Sequence, residues 1–529
     1  MPVIHDEWVV SPLDSTSSDL PVRSELVRSM LARRGILDRE AYRRFVNPSL
    51  DDLHDPSTIH GMDKASSRIE RAIRNQEQIL IYGDYDVDGV TSIVLLQTVL
   101  RILGARVDFV VPHRLFDGYG LKTEVLERVL AEKEVALVIT VDCGITSIEP
   151  VEQALARGID VIVTDHHLPP EMLPRAVAVL NPKQEGCVYP FKELAGVGVA
   201  FKLCCELLKR SGRTMSTASL AKIAAIGTIA DVAPLIGENR TIARIGLNGL
   251  ADSRNHGLRV LLRTLGLLGS PLRGVDVGFK IGPRINAAGR LASADTAIQL
   301  FAARDEAEAY PLVFELNRLN EQRRAIQDEV LREAESQIDP SSLPPIVIVA
   351  GMGWHKGVVG LCAGRISQKY HRPALAISID GEECVGSGRS IPAIDLHDRL
   401  EQVRPLFTRF GGHSHACGFS LRRENLARLK DELIEIFSVI DRSDYRRVAE
   451  VEGVVKLGDL DRALFEEIEV LEPFGAGNPQ PLLMASGVRV GARKMIAEES
   501  FSLELSDASG SAEGVAWRSH PGLPKLLEV

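Results

Sequence analysis

The sequence predicts an α/β protein whose main domain is built on a doubly wound parallel sheet. From about residue 78, short β-branched runs alternate with amphipathic helical stretches. The apolar runs are Ile79–Tyr82, Val107–Val111, Val135–Val141, Val161–Thr164 and Val177–Leu180. Continuous apolar runs between helices are typical of parallel strands buried on both faces. Aspartate residues closely follow three of these runs, at the end of an open sheet where ligands bind.

Helical patterns surround this sheet. The stretch Glu25–Phe45 is charged and periodic, so we expect a helical lead-in before the first strand. Residues 218–231 predict a buried helix with Asp231 at its end. Residues 305–338 repeat leucine, isoleucine and valine at helical spacing among charges, which predicts a long amphipathic helix.

A second α/β unit follows the long helix. It begins with the predicted strand Ile346–Ala350 and continues with Ala374–Ile379. From about residue 448, short alternating runs and many glycines predict a small β domain. The predicted segments are a lead-in over 1–75, a sheet domain over 76–304, a connecting helix over 305–340, a second α/β domain over 341–445 and a β domain over 446–529.

The charge balance excludes a small, uniformly basic nucleic-acid binder. The 529 residues include 62 Lys and Arg against 72 Asp and Glu, a formal net charge of -10. A basic groove within an acidic protein is still compatible with this balance, because binding follows the local field. Residues 253–290 are the clearest basic segment, with Asp276 as their acidic residue. The basic residues there are Arg254, Arg259, Arg263, Arg273, Lys280, Arg284 and Arg290.

The cysteines argue against a disulfide framework and against a thiolate zinc site. There are seven, an odd number, and no Cys-x-x-Cys pair occurs. We therefore expect a reducing, cytoplasmic compartment. The start MPVIHDEWVV lacks the basic and apolar regions of a signal peptide, and no apolar run approaches a membrane span.

Carboxylates and histidines recur at the predicted strand ends. Asp84, Asp86 and Asp88 follow the first strand, Asp142 follows the third, and Asp165, His166 and His167 follow the fourth. Carboxylates that meet at one sheet edge repel unless a cation compensates. Oxygen ligands with one imidazole suit Mn²⁺ or Mg²⁺, and a shared carboxylate allows a two-metal hydrolytic site.

Simpler interpretations exist for each residue taken alone. The Asp84–Asp88 loop could be a solvated acidic turn, Asp142 a helix cap and the two histidines surface residues. The joint occurrence of all three motifs in one sheet favours the metal site. The segment GVGVAFK at 196–202 lacks the third glycine of a dinucleotide fingerprint, so it predicts helix packing instead.

These residues make the chain resemble the DHH phosphoesterase family. The motifs DYDVDG at 84–89, VDCG at 141–144 and TDHH at 164–167 resemble its DHH domain. The motifs SGRS at 387–390 and GGHSHACG at 411–418 resemble the associated DHHA1 domain. GPRINAAGR, WHKGVVG and EPFGAGNPQP, which begin at 282, 354 and 472, resemble the family's single-strand-specific 5′→3′ DNA exonucleases. In these enzymes an OB-like β domain comes last, and because the chain ends at Val529 we expect its closing strands to be missing.

The resemblance implies a role for each motif residue. Asp86 and Asp142 would hold one metal, and Asp88, Asp142, His166 and Asp231 the other, with Asp142 as the bridge. Asp165 would orient the histidines, and His167 would face the scissile phosphate as a catalytic residue. The implied substrate-binding residues are Arg114, Tyr119, Ser387, Arg389 and His413. Tyr119 could stack on a base or be an ordinary core tyrosine. The clustering in the basic segment adds Arg284, Asn286 and Arg290 as a phosphate track.

The implied function is a two-metal, single-strand-specific 5′→3′ DNA exonuclease in DNA repair and recombination. It would use two Mn²⁺ or Mg²⁺ ions and bind single-stranded DNA as a cytoplasmic monomer, with a single-strand-binding protein and a helicase as partners. Two alternatives stay open at this point. One is a phosphodiesterase of short oligonucleotides or cyclic dinucleotides, and the other is a catalytically inactive scaffold in a replication complex.

Overall fold

The computed structural model describes residues 7–13, 19–114, 116–213, 216–497 and 500–516. Its first sheet is fully parallel and contains the five predicted strands. In spatial order they are Arg106–Val110, Gln78–Gly83, Leu137–Val141, Asp160–Thr164 and Ala178–Leu180. The predicted doubly wound α/β class is therefore confirmed. The strand order places the ends of the second, third and fourth of these strands side by side.

Alternate side chains of each strand enter separate cores on the two faces of this sheet. Ile79 and Ile81 belong to the larger core, and Leu80 and Tyr82 belong to the smaller one. The larger core is covered by the helices Met62–Arg74, Val87–Ile102, Gly196–Ser211, Thr217–Ala230 and Gly237–Leu250. The smaller core is covered by Thr123–Leu130 and Ile148–Ala156. Both faces are buried, which explains why the strands read as continuous apolar runs.

Further helices connect this sheet to the second domain. They are His256–Thr264, Gly274–Asp276, a π-helical turn at Val277–Ile281, Gly282–Leu291, Asp295–Ala302 and the long helix Glu306–Glu335. The long helix has 30 residues, a length of about 45 Å. Leu316 and Leu319 near its middle belong to the core of the first domain, whereas Val330 and Ala334 belong to a core of the second. The helix therefore fixes the two domains to each other.

The second domain contains a mixed sheet. Its strands are, in spatial order, Phe407–His413, Ala416–Arg422, Glu383–Arg389, Ala374–Asp380 and Val347–Met352. Only the pair of Val347–Met352 with Ala374–Asp380 is parallel. The helices of this domain are Val359–Tyr370, Leu396–Glu401 and Leu426–Ser438.

The last segment forms the expected small β domain. An antiparallel sheet contains Arg489–Ala497, Ser500–Ser506 and Ser511–Ala516. A short parallel pair joins Gly453–Val454 to Leu483–Met484, and the helix Arg462–Glu469 lies between them in sequence. The expected lack of closing strands concerns residues after Ala516, which lie outside the described residues.

The lead-in contains the helices Glu25–Arg33 and Arg39–Val46, as predicted, but also a strand that was not. Glu7–Val10 pairs in parallel with Val448–Val451. Sequence periodicity misses such a strand because four residues are too few to show alternation and the partner is remote in sequence. Within the described ranges, no helix combines the length and apolarity needed to cross a bilayer.

Candidate active site

The acidic residues predicted at the strand ends meet at one edge of the first sheet. Asp142 directly follows the strand Leu137–Val141, and Asp165 directly follows its neighbour Asp160–Thr164. Asp86 caps the helix Val87–Ile102, because its side chain accepts hydrogen bonds from the amides of Asp88 and Gly89. The capping role proposed as a simple alternative for Asp142 thus belongs to Asp86.

His166 lies at the centre of this cluster. Its Nε2 atom is 3.3 Å from Asp142 Oδ1, 3.8 Å from Asp88 Oδ2 and 3.8 Å from Asp231 Oδ2. Burial, and then the charge of His167, lowers the pKa of His166 to about 3. The imidazole is therefore neutral and offers a lone pair, as a metal ligand must. The predicted ligands Asp88, Asp142, His166 and Asp231 are thus brought together.

A second group of oxygens adjoins the first. Carboxylate oxygens of Asp84, Asp86 and Asp142 lie within 4.8 Å of one another. Asp142 belongs to both groups, in agreement with the bridging position implied for it. Asp84, to which the resemblance gives no ligand role, is also buried, and its carboxylate belongs to this second group.

The crowding strongly disfavours ionisation of these carboxylates when no cation is bound. Burial, and then the neighbouring charges of Asp88 and Asp86, raise the pKa of Asp142 well above its usual range. Burial, and then nearby carboxylates, raise the pKa of Asp231 to about 9 and that of Asp88 to about 7. Within the cluster, three buried atoms have no hydrogen-bond partner among the described residues: Asp84 Oδ1, Asp142 Oδ1 and His166 Nε2. Hard divalent cations fit this donor set, because they would supply the missing partner and the missing charge.

The glycine-rich segment at 196–202 contributes to the site in a way that sequence reasoning missed. The amides of Gly196 and Val197 begin a helix and donate to the two Asp88 oxygens, each at 2.7 Å. A Cβ atom on Gly196 would stand 2.7 Å from Asp142 Oδ1. The segment therefore packs, as predicted, and also positions two candidate ligands. The available signal was a glycine at a helix N-terminus, where anions bind.

His167 forms a separate hydrogen-bonded unit beside the cluster. Its Nδ1 atom is 2.7 Å from Asp165 Oδ1, and Asp165 also accepts from the amides of His166 and Ile145. Burial opposes the charge on both groups, but their mutual hydrogen bond lowers the pKa of Asp165 and raises that of His167. The Tyr119 hydroxyl lies 3.1 Å from His167 Nδ1, so Tyr119 contacts this histidine and is not an ordinary core residue.

The predicted residues of the second domain face the first across a cleft. Arg114, Ser387 and Arg389 line one cavity of about 590 Å³ between the domains. Arg389 Nη1 donates to Ser387 Oγ at 2.9 Å and to the Gly388 carbonyl at 2.7 Å. Burial, and then the charge of Arg114, lower the pKa of Arg389. Among the described residues, neither arginine has a carboxylate within ion-pair distance, so this cavity suits an anion. Burial and then the charges of His415, Arg389 and His167 lower the pKa of His413, which ends the strand Phe407–His413.

The predicted phosphate track is divided by the structure. Arg290 Nη1 reaches across the cleft to the Gly357 carbonyl at 3.0 Å, and Asn286 lines the same cavity as Arg290 and Arg389. Arg284 instead binds the long helix, with Nε 2.6 Å from Asn317 Oδ1. Arg290 and Asn286 are thus available to a strand in the cleft, and Arg284 is engaged elsewhere.

Comparison with protein families matches each domain in turn. The DHH family N-terminal domain matches residues 78–228, the DHHA1 domain matches 344–439, and the RecJ OB domain matches 451–528. The order agrees with the resemblance drawn from the motifs.

Individual relatives extend the match over most of the chain. The single-stranded-DNA-specific exonuclease RecJ of Bacillus subtilis is 40% identical over 480 residues, which are 90% of this chain and 60% of that protein. RecJ of Dickeya dadantii is 36% identical, over 86% of this chain and 82% of the relative. The crystal structure of Thermus thermophilus RecJ with Mn²⁺ has a TM-score of 0.83 and 31% identity to this chain. The match covers 97% of this chain and 74% of the Thermus thermophilus chain. The same protein with Mg²⁺ gives a TM-score of 0.77. The chain therefore belongs to the RecJ family of single-stranded-DNA-specific exonucleases.

Proposed function

We propose that this chain hydrolyses single-stranded DNA from its 5′ end by metal-assisted cleavage of phosphodiester bonds, and that it acts in DNA repair and recombination. One observation carries the proposal. A buried cluster of carboxylates and His166, which fits divalent cations, adjoins the interdomain cavity of Arg389, Ser387 and Arg114, because Tyr85, which lies between Asp84 and Asp86 in sequence, lines that cavity. Such a cleft can hold a scissile phosphate and a terminal phosphate at the same time.

The assignment of ligands follows the two groups of atoms. Asp86 and Asp142 would hold one Mn²⁺ or Mg²⁺ ion, and Asp88, Asp142, His166 and Asp231 would hold the other. Asp84 is a further candidate for the first position, because its oxygen lies within 4.8 Å of those of Asp86 and Asp142. When bound, the ions activate a water molecule and stabilise the negative charge that develops on the phosphate oxygens.

His167 is the residue that we assign to the scissile phosphate. Its raised pKa favours a proton on the ring, and Asp165 fixes the Nδ1 side at 2.7 Å. The Nε2–H group, which has the Tyr119 hydroxyl 3.4 Å away, can then donate to a phosphate oxygen, which lowers the energy of the charged transition state. Tyr119 is a positioning residue here, since its hydroxyl restricts the orientation of the His167 ring.

The second domain supplies recognition of the 5′ end. The planar guanidinium of Arg389 can bind a terminal phosphate through two nitrogen atoms, and Ser387 Oγ can donate a further hydrogen bond. Arg114 approaches from the first domain, with its guanidinium 4.8 Å from the centre of the Tyr85 ring. His413 lies near enough to Arg389 and His167 for their charges to lower its pKa, after the larger effects of burial and of His415. Because these groups come from two domains, a strand end is held only where both domains meet.

The test is digestion of single strands that carry a label at either the 5′ or the 3′ end, with Mn²⁺, with Mg²⁺ or with a chelator. We expect loss of nucleotides from the 5′ end with either cation and none with chelator. Asp142→Ala should abolish turnover, because both groups of ligands include Asp142. Asp108→Ala is the matched control, since Asp108 is a partly exposed residue of the edge strand that pairs with Lys133. Full activity of Asp142→Ala would contradict the metal assignment, and release from the 3′ end would favour a phosphodiesterase of short oligonucleotides.

The proposed cellular setting is the cytoplasm. All seven cysteines are free thiols, which is compatible with the reducing cytoplasm. A monomeric state, and association with a single-strand-binding protein and a helicase, stay predictions from the family resemblance. Sedimentation of the purified chain measures the first of these directly.

A further inference from the structure

The cavity that contains Arg114, Ser387 and Arg389 extends beyond the place proposed for the terminal phosphate. Its volume of about 590 Å³ lies in the range of sites that hold whole small molecules. The lining continues past Ser387 to residues that the proposed mechanism does not use. We call three of them the outer subsite, namely Thr408, Arg409 and Ser420.

The outer subsite belongs to the same sheet as Ser387. Ser387 is opposite Gly418 in the neighbouring strand, and Gly418 is opposite Gly411 in the edge strand. Arg409 lies two residues before Gly411 and is opposite Ser420. With strands about 4.8 Å apart and a rise of about 3.4 Å per residue, the Cα atoms of Ser387 and Arg409 are about 12 Å apart. That separation suits a ligand longer than a single phosphate group.

The cavity is open in the direction of the outer subsite. A Cβ atom on Gly418 or on Gly411 would meet no other atom within 4 Å. Gly418 lines the cavity, so no side chain divides the cavity at this point. A Cβ atom on Gly360, by contrast, would stand 3.0 Å from Ser387 Oγ. The cavity is thus tight around Ser387 and roomy beyond it.

The charge of the cavity is unbalanced toward positive. Within the described ranges, the exposed Arg409 guanidinium forms no hydrogen bond or ion pair, and Arg389 donates to neutral groups. The helix Val359–Tyr370, whose N-terminus no described side chain caps, begins at this cavity and adds a partial positive charge. Glu383, the acidic residue of the lining, is exposed. The cavity therefore suits an anion with more charge than one phosphate group.

We propose that the outer subsite binds the additional phosphate groups of a strand that ends in a 5′-triphosphate. The phosphate next to the sugar would bind Arg389 and Ser387, and the outer phosphates would bind Arg409 and the Ser420 hydroxyl. The proposal rests on the proposed exonuclease function and names a class of 5′ end that this function accepts. Continuity with the Arg389 site favours a strand end over a free nucleotide. Such ends arise where synthesis of a strand begins from a nucleoside triphosphate.

The chemistry at the metal cluster stays the same for these ends. Water cleaves the bond between phosphorus and the 3′ oxygen at the first internucleotide link. The hydroxide joins phosphorus, and the proton goes to the 3′ oxygen. The first nucleotide therefore leaves with its triphosphate intact, and the shortened strand carries a 5′-monophosphate.

The experiment compares strands of one sequence that carry either a 5′-monophosphate or a 5′-triphosphate, with Mn²⁺ in excess over the strand. The wild-type KM should be about tenfold lower for the triphosphate strand, the size expected for one charge-assisted contact. Arg409→Ala should bring the two KM values close together, and Arg409→Lys, which keeps the charge, should retain most of the difference. Chromatography should identify a nucleoside triphosphate as the first product of the triphosphate strand.

The matched control is Arg428→Ala. Arg428 is an exposed arginine of the same domain, on the helix Leu426–Ser438, and it does not line the cavity. This variant should keep the wild-type ratio of the two KM values. Because Arg409 is exposed, its replacement should leave the domain folded.

Each outcome supports or overturns a defined statement. Equal wild-type KM values, or a triphosphate strand that resists digestion, overturn the outer subsite and leave the exonuclease function standing. Release of phosphate or pyrophosphate before the first nucleotide also overturns it, because the terminal anhydride would then lie at the metal cluster. Inhibition by a free nucleoside triphosphate that Arg409→Ala abolishes, with equal KM values for the strands, replaces the strand end by a free nucleotide. A wild-type enzyme that releases nothing from the 5′ end of either strand refutes the proposed function itself.

Discussion

The carboxylate cluster around His166 should make the stability of the folded chain fall with rising pH whenever divalent cations are removed. In the folded state the pKa of Asp88 is about 7 and that of Asp231 about 9, whereas both start from 3.8. Between pH 4 and these raised values, the folded chain keeps protons that the unfolded chain has lost. The folded state therefore binds more protons, and its stability decreases as the pH rises through the window.

The magnitude follows from one retained proton. Each such proton changes the free energy of unfolding by about -1.4 kcal/mol per pH unit. From pH 7 to pH 8.5, Asp231 still holds its proton, because its pKa is about 9, and the loss from this one group is on the order of 2 kcal/mol. For a domain of this size that corresponds to roughly 4–8 °C in Tm. His166 contributes nothing in this range, since its pKa of about 3 leaves it neutral in the folded state, and the unfolded side chain is largely neutral above pH 7.

The assay is thermal unfolding in chelator, followed by near-ultraviolet circular dichroism at several pH values between 7 and 8.5 and at constant ionic strength. The transition to follow is the one whose midpoint temperature rises when Mn²⁺ is added in place of the chelator. Asp231→Asn should flatten the pH dependence because it removes the titrating group. His167→Gln is the necessary control, since the raised pKa of His167 contributes a slope of the same sign. A chelated wild type whose Tm is independent of pH, or an Asp231→Asn variant with the full slope, would refute the electrostatic reasoning.

Three further results are expected. Gly196→Ala should weaken Mn²⁺ binding by about ten- to a hundredfold in calorimetric titration with the fold intact, because the new Cβ would press on Asp142. Normal affinity would mean that the helix Gly196–Ser211 moves away freely. Arg389→Ala should lower kcat/KM about ten- to a hundredfold on 5′-phosphorylated strands and far less on 5′-hydroxyl strands; an equal loss on both would assign Arg389 to the scissile phosphate. Arg290→Glu should weaken binding of single-stranded DNA and flatten the salt dependence of that binding. Arg284→Glu should change the affinity and its salt dependence less, because Arg284 is engaged with the long helix. The reverse ranking would contradict the division of the phosphate track.

The metal cluster was predictable because it depends on topology more than on detail. Parallel strands end at one edge, so aspartates that directly follow consecutive strands must approach each other. Asp142 and His166 could be placed together on this ground before any coordinates existed. Helical periodicity, a different signal, predicted the long helix over 305–338, and its observed bounds are Glu306–Glu335.

Other features depend on contacts between segments that are remote in sequence. Nothing local in Gly196 shows that Asp142 lies 2.7 Å from its missing Cβ. Tyr119 is similar, because nothing in its local sequence shows that its hydroxyl lies 3.1 Å from His167 Nδ1. The sequence therefore left an ordinary core tyrosine open as an alternative.

The pairing of Glu7–Val10 with Val448–Val451 constrains how the chain can be made on the ribosome. Arg33 and its partner Glu452 are separated by 419 residues. At about 5–20 residues per second, that distance takes roughly 20–80 s to translate. During this interval Val27 and Met30 of the helix Glu25–Arg33 stay exposed to solvent, because Leu471, which belongs to the same core, has not yet left the ribosome. The segment that is synthesised first is thus among the last to pack against its partner. Nascent chains should stay sensitive to protease at residues 19–46 until the C-terminal domain has left the ribosome.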